Sequence, residues 1–402
     1  MKEGNKDLNR KIVRKLREIA ELFTNNQFVP QDPGLFCGKT GLALFLFYYS
    51  FQFGDQRKYN KAARIFKDVL NKDLIKFSHP SFSEGIAGIA WVTKFVSENK
   101  FISFKFRDFF DKTDKLVFLA GKEYIRNDNW DYLHGAIGTG LYFLKRNTKF
   151  SIEYLELIVD ELYSKAEFTE KGIYWKSYLD SQNTNGINLG LAHGLPGILI
   201  FLSKLYLKGI NIVKTIRLLQ GIIEFFDYYK QDVVKIGSYY PNWIVDPEKP
   251  KEEFSRLAWC YGDIGVGFSI FFAGHATGND NWLSKGLRIL KDTTKRRDLK
   301  ANYIIDAGFC HGSVGLAHIY RKLFHLTELN IFLDTSEYWA EACLNQSRFE
   351  NGMAGYKSCL SIEKNNWVND ASLLEGIAGI GLSLMYCRFG QNPIWDECMM
   401  LS

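Results

Sequence analysis

The chain has 402 residues, 46% of them hydrophobic, and a formal net charge of +6. That is ordinary globular composition on more chain than one simple core holds. The mild charge and the lack of a dense Lys/Arg block argue against nucleic-acid binding, and no run reaches the roughly 20 apolar residues of a membrane span.

Seven cysteines without close pairing fit a reducing cytosol and not a disulfide framework. Met1 to Arg10 is polar and charged, unlike a secretory signal. The first patterned segment is Asn9 to Phe23. Ile12, Val13, Leu16, Ile19, Ala20 and Phe23 form a stripe opposite Lys11, Arg14, Lys15, Arg17 and Glu18. Its helical period suits the outer helix of a repeat, or a helix lying on a membrane surface.

Next comes Gly38-x-x-Gly41, followed by an apolar run to Phe53 that contains Ser50 and Gln52. The same unit returns at Gly85/Gly88, Gly135/Gly138, Gly194/Gly197, Gly262/Gly265, Gly312/Gly315 and Gly376/Gly379, with first glycines 47 to 68 residues apart. Behind Gly85 run Ile86, Ile89, Ala90, Val92, Phe95 and Val96; behind Gly194 run Leu195, Ile198, Leu199, Phe201, Leu202 and Leu205. Helices this apolar on every side are buried ones. Glycines three apart share one side of a helix start and admit a close neighbour.

Amphipathic segments alternate with these: Tyr154 to Ala166, Val213 to Tyr229 and Ser336 to Gln346. Lys171 to Gly190 is a polar loop. Gln231 to Ser255, with Pro241, Pro247, Pro250 and the apolar Trp243-Ile244-Val245, reads as a long ordered loop with a short strand, the kind that often carries function. The tail after Phe389 either packs or frays. Repeats spread evenly over the chain predict one domain, residues 1–402, all-α, with seven inner helices inside seven outer ones. Closure into a ring is favoured because an open solenoid needs polar terminal repeats, and none is evident.

Aligned on the first glycine, the preceding residue is Cys37, Glu84, His134, His193, Tyr261, His311 and Glu375. The residue before that is Phe36, Ser83, Leu133, Ala192, Cys260, Cys310 and Leu374. In a closed ring this column converges on one mouth. Cys260, Cys310 and His311 then supply two thiolates and an imidazole from neighbouring repeats, a donor set that suits zinc and leaves its fourth position open. A lone buried cysteine is usually packing; a second one in the equivalent slot favours a metal. Cys343, Cys359, Cys387 and Cys398 read as packing; Cys37, in the column, reads as structural or as a stray ligand, the first favoured. Asp131, His193, Arg256 and Tyr261 gather at the same mouth as an acid/base set. Singly, each has a plainer reading: a helix cap, a satisfied core histidine, a surface charge, a packed ring. His134 lies on the column without an assigned role.

At Ala192-His193-Gly194, Arg256-x-x-x-Cys260-Tyr261-Gly262 and Cys310-His311-Gly312 the chain resembles the lanthionine synthetase C-like family, the lantibiotic cyclases. The resemblance runs through all seven Gly-x-x-Gly units and has the length of a stand-alone cyclase. It implies an α/α toroid, zinc on Cys260, Cys310 and His311, and catalytic or substrate-handling roles for His193, Asp131, Arg256 and Tyr261. The small β-containing insertion of many family members has no clear counterpart in the sequence. The implied reaction is Michael addition of a precursor-peptide cysteine to dehydroalanine or dehydrobutyrine, giving a (methyl)lanthionine thioether. A free thiol is only slightly ionised at neutral pH, and a metal corrects that. The resemblance also implies a dehydrated peptide as partner, a separate dehydratase, an export transporter, and a cytoplasmic location, peripheral to the membrane when in such a complex.

Two other readings stand beside it. Eukaryotic relatives associated with glutathione suggest a zinc-containing thiol-binding protein without cyclase activity. A carbohydrate-active toroid needs paired carboxylates, and Glu84 and Glu375 sit in the column, though their shared Glu-Gly-Ile-Ala-Gly-Ile context looks like repeat chemistry.

Overall fold

The computed structural model describes residues 5–24, 28–71, 79–102, 106–177 and 186–402. Part of the Lys171–Gly190 loop, 178–185, lies outside the described residues, as do residues 1–4. Two compact units are present: Met1–His79 with Ser83–Lys105 and Asp298–Ser402, and Pro80–Phe82 with Phe106–Arg297.

Every Gly-x-x-Gly opens a helix, and its first glycine is the N-cap. The helices are Lys39–Phe53, Ile86–Glu98, Ala136–Arg146, Leu195–Leu207, Asp263–Thr277, Ser313–Thr327 and Ile377–Phe389. They are buried almost all round, as their composition requires. Between them run Lys6–Glu21, Gln56–Asn71, Arg107–Arg126, Lys149–Ser164, Ile212–Tyr228, Asp280–Thr293 and Asn330–Asn345. The described residues thus hold seven helices of each kind.

The eight residues leading into most inner helices form one closed loop. The amide after the first glycine donates to the carbonyl seven residues earlier: Lys39 to Asp32 (2.8 Å), Ile86 to His79 (2.8 Å), Ala136 to Asn129 (2.9 Å), Ser313 to Asp306 (3.2 Å) and Ile377 to Asp370 (3.0 Å). The residue six before the glycine also closes a small turn with its own side chain. Oδ1 of Asp32, Asn129, Asn188, Asp306 and Asp370 accepts the amide two residues on, at 2.6 to 3.2 Å. This is the Asx turn that Asp and Asn form by preference. The second glycine lets the loop press on the helix: a Cβ at Gly41, Gly138, Gly315 or Gly379 would lie 1.9 to 2.2 Å from the carbonyl oxygen of Leu35, Tyr132, Phe309 or Leu373.

In the first unit, successive loops are sewn together. The amides of Phe309 and Cys310 share the carbonyl of Leu374, those of Leu373 and Leu374 share that of Phe36, and those of Leu35 and Phe36 share that of Ser83, all at 2.9 to 3.1 Å. The last repeat therefore joins the first directly, without a solenoid end. Lys6–Glu21 packs on Ile377–Phe389 and Asn330–Asn345. Its stripe of Leu8, Ile12, Leu16, Ile19 and Ala20 is covered by protein, which makes it an outer helix. Ile12 and Leu16, at most 1% exposed, each contribute about 1.5–3 kcal/mol by burial.

The tail beyond Phe389 packs. A 3-10 helix, Ile394–Met399, buries Trp395, Cys398 and Met399. Asp396, 0% exposed, receives Lys322 Nζ at 2.9 Å and lies 3.1 Å from His318 Nε2. The hairpin Ser358–Ser361/Asn366–Val368 completes this unit.

In the second unit Ala136–Arg146, Leu195–Leu207 and Asp263–Thr277 pack in that order. The hairpin Glu167–Thr169/Gly172–Tyr174 lies on Ile212–Tyr228. Gln231 to Ser255 is ordered as expected. Gln231 brackets it by accepting the Glu253 amide (2.7 Å) and donating to the Glu253 carbonyl (3.1 Å). Its strand, Trp243–Ile244, pairs antiparallel with Ile187–Asn188.

Candidate active site

Asp131 and His193 come from different lead-in loops of the second unit. Asp131 is buried, and its two oxygens divide two tasks. Oδ1 accepts the His134 amide at 2.7 Å, the local cap its position suggested. Oδ2 lies 2.6 Å from His193 Nδ1. A carboxylate only accepts, so Nδ1 carries the hydrogen and Nε2 is the nitrogen left for other chemistry. Burial presses the His193 pKa down. The hydrogen bond and charge of Asp131 outweigh it, the Cys260 sulfur adds to them, and the net shift is upward.

Tyr261 follows Cys260, and its ring centroid is 6.3 Å from that of His193. Burial, first among several causes, raises its phenol pKa. The Cys260 carbonyl accepts the Ala192 amide at 3.4 Å, which ties the Cys260 loop to that of His193. His134 stacks at 6.5 Å from His193, the planes 11° apart. Asp131, His193 and Asn188 line a small cavity with Trp130 and Trp175.

Arg256 occupies the slot six before Gly262, where five other repeats place an Asx residue. It makes no Asx turn there, and Gly262 alone among the seven N-cap glycines has a positive φ, 94°. A Cβ at Gly262 would sit 1.9 Å from the Arg256 carbonyl oxygen. The loop is rebuilt around Arg256 at the repeat that carries Cys260 and Tyr261.

Cys310 and His311 are in the first unit, Cys310 buried and His311 at the helix start. Two carboxylates flank the imidazole: Asp306 Oδ2 at 3.8 Å from Nε2 and Glu375 Oε1 at 3.5 Å from Nδ1. Asp306 is itself fixed by the amides of Gly308 (3.0 Å) and Cys359 (2.9 Å). A carboxylate beside a histidine is the usual support of a metal-ligating imidazole, so thiol and imidazole here fit a zinc ion. Cys37 is exposed, and its thiol is pushed up to about 12 by partial desolvation and then by Glu84, Asp370, Asp32 and Glu375. That is the reverse of an activated thiol. All seven cysteines are free.

Asn188 and Trp243 were not among the residues picked out by sequence. Asn188 Nδ2 donates to the Tyr261 hydroxyl at 3.0 Å, and Trp243 stands directly opposite Asn188 across the strand pair. A signal for Asn188 existed: the Asx column six residues ahead of the glycines. For Trp243 a short strand was legible, but not its pairing with Asn188, which is a matter of register.

Residues 29–400 match the family model described as lanthionine synthetase C-like protein. The nisin biosynthesis protein NisC of Lactococcus lactis subsp. lactis is 23% identical over 349 residues, 80% of this chain and 77% of that protein. The solved structure of nisin cyclase superposes with a TM-score of 0.76 at 21% identity, covering 99% of this chain and 98% of that one. The fold is therefore the α/α toroid. The chain belongs to the lanthionine synthetase C-like family.

Proposed function

We propose that this protein is a zinc-dependent lanthionine cyclase that closes thioether rings in a dehydrated precursor peptide. The observation that carries the reading is the Asp131–His193 pair, 2.6 Å apart beside Cys260 and Tyr261, in a chain matching this family over nearly its whole length.

Cys260, Cys310 and His311 would hold the zinc, which when bound lowers the pKa of a substrate thiol. The remaining steps fall to the chain's own residues. His193 Nε2, with Nδ1–H held by Asp131, takes the thiol proton. The substrate sulfur forms a bond to the β-carbon, the alkene pair moves toward the carbonyl, and Nε2 returns the proton to the α-carbon. Atoms balance: the reaction is an isomerisation. The upward shift of the His193 pKa favours the protonated form that delivers the proton to the α-carbon. Arg256 is a candidate to steady the enolate or Asp131. Such chemistry requires a dehydratase acting beforehand; an export transporter is a partner suggested by family resemblance alone. No described helix is long and apolar enough to cross a membrane.

Because cyclisation leaves mass unchanged, the test is loss of alkylatable thiol. Purified protein is incubated with a dehydrated, cysteine-containing peptide and then with N-ethylmaleimide. Peptide that escapes alkylation, in the presence of protein only, supports the proposal. Full alkylation by protein with one zinc per chain overturns it, and tight glutathione binding in the same preparation would point to a thiol-binding role instead.

A further inference from the structure

Of the seven residues that directly follow an N-cap glycine, Asp263 is the one acid, and it is buried. A carboxylate at a helix start usually serves its own helix, through a cap or the dipole. The oxygens of Asp263 serve the Gln231 to Ser255 loop. Oδ1 accepts the amides of Tyr239 and Tyr240, both at 3.0 Å, and Oδ2 accepts that of Tyr239 at 2.9 Å. Oδ2 also receives Nη1 of Arg296 at 3.2 Å.

Arg296, just past the helix Asp280–Thr293, has a second task. Its Nη2 donates to the carbonyl of Ser255 at 2.6 Å, and its guanidinium lies 4.7 Å from the centre of the Phe254 ring. Ser255 is buried, and its hydroxyl has no partner among the described residues. The residue is therefore held through its backbone. Its amide donates to Ser238 Oγ at 3.0 Å, and its carbonyl accepts from Arg296. That carbonyl belongs to the peptide group whose nitrogen is Arg256's own. A peptide group is planar, so holding its oxygen sets the direction in which Arg256 leaves the loop. The rigid fork of an arginine can meet a carboxylate and a carbonyl together; a lysine is a point charge on a flexible stem.

We propose that Arg296, oriented by Asp263, is a positioning residue for Arg256. It acts through the Ser255–Arg256 peptide group, not on the substrate. The inference rests on the cyclase reading for the task of Arg256 and on geometry alone for the clamp. Preorganisation makes the clamp matter, because a misplacement of about 1 Å in a working group can cost about 10²-fold in rate.

Two measurements test clamp and consequence separately. Without substrate, hydrogen exchange read by mass spectrometry should show faster uptake across residues 254–257 in Arg296→Lys, with Ile212–Tyr228 unchanged. With a dehydrated peptide, Arg296→Lys should lower kcat about 10- to 10²-fold, with KM and zinc content unchanged. In an Arg256→Ala background the same substitution should have no further effect on kcat, since the group it positions is gone. Asp263→Asn keeps the shape, removes the charge facing Arg296, and should act in the same direction more weakly; it replaces Arg296→Lys if that variant does not fold. A merely structural Arg296 would lower the urea midpoint and leave kcat per folded molecule unchanged. Unaltered uptake across 254–257 overturns the clamp. Unchanged kcat in Arg296→Lys, or an equal loss in both backgrounds, overturns the positioning role. If wild-type protein closes no ring, the cyclase reading fails, and the exchange result still decides the clamp.

Discussion

Asp131 Oδ2 and His193 Nδ1 lie 2.6 Å apart although 62 residues separate them in sequence. The bond fixes the imidazole tautomer, and the same carboxylate caps its own loop through the other oxygen. Asp131→Asn keeps the shape and removes the charge. It should lower kcat by about 10²–10⁴ while zinc content stays at the wild-type level. Thiol alkylation kinetics and elemental analysis check the two halves.

The same pair sets a pH dependence. The folded pKa of His193 is above its ordinary 6.5. Its contribution to stability is therefore complete below 6.5 and is lost as pH rises through the folded value. In Asp131→Asn this alkaline decline should move to lower pH. Urea denaturation midpoints at a series of pH values between 5 and 9, as an approximate experimental range, read it directly.

The C-terminal tail should loosen in acid. Burial lowers the His318 pKa below 6.5 despite Asp396, and Asp396 is itself held below 3.8 because its bonds to His318 and Lys322 outweigh its burial. Below pH 6.5 the unfolded segment takes up a proton that buried His318 refuses, so stability falls. A second loss comes as pH drops through the folded pKa of Asp396. Cys398, buried within this tail, should then react faster with 4,4'-dithiodipyridine. Lys322→Met should cost about 3–5 kcal/mol by removing the lysine cation paired with buried Asp396.

Zinc should leave when any of its three proposed donors is removed. Cys260→Ala, Cys310→Ala and His311→Ala should each lower the metal content to near background. His193→Ala should retain it. Glu375→Gln, which weakens the support of His311, should reduce zinc affinity by about 10–100-fold, measured by competition with a chromophoric chelator. Full zinc in Cys310→Ala would remove the assignment.

Gly262→Ala separates strain from mere loss of a glycine. At Gly262 a side chain meets the Arg256 carbonyl at a φ of 94°, whereas at Gly54, φ 67°, nothing lies within 4 Å. Gly54→Ala should cost about 1 kcal/mol. Gly262→Ala should cost more than the roughly 1–3 kcal/mol of backbone strain alone, with chemical denaturation as the readout.

Much of this was legible in the sequence because glycine marks a steric necessity. All seven inner helices begin where Gly-x-x-Gly places them. The outer helices Lys6–Glu21, Lys149–Ser164 and Ile212–Tyr228 begin within a turn or so of their amphipathic segments; Asn330–Asn345 starts six residues before Ser336 because Phe332 and Leu333 are also buried. Gln56–Asn71, Arg107–Arg126 and Asp280–Thr293 were not singled out; their many charges leave the apolar stripe thin. The Asx column was readable but escaped notice, since its role is to close a loop and only the loop's geometry reveals it. Trp243 was legible only as part of a short strand. Its pairing with Asn188 is a matter of register between segments 55 residues apart, and register is set by tertiary packing.

The closed eight-residue loop has a further consequence. Its backbone bonds run between the Asx position and the residue after the glycine, and bypass the residue before it. In the five loops closed this way that residue is a thiol at Cys37, a carboxylate at Glu84 and Glu375, and an imidazole at His134 and His311. Three chemistries occupy one kind of backbone socket. Shape is stored in the asparagines, aspartates and glycines, while reactivity is stored one residue away, in a position the shape does not depend on. A scaffold so divided can change its reagent without relearning how to fold.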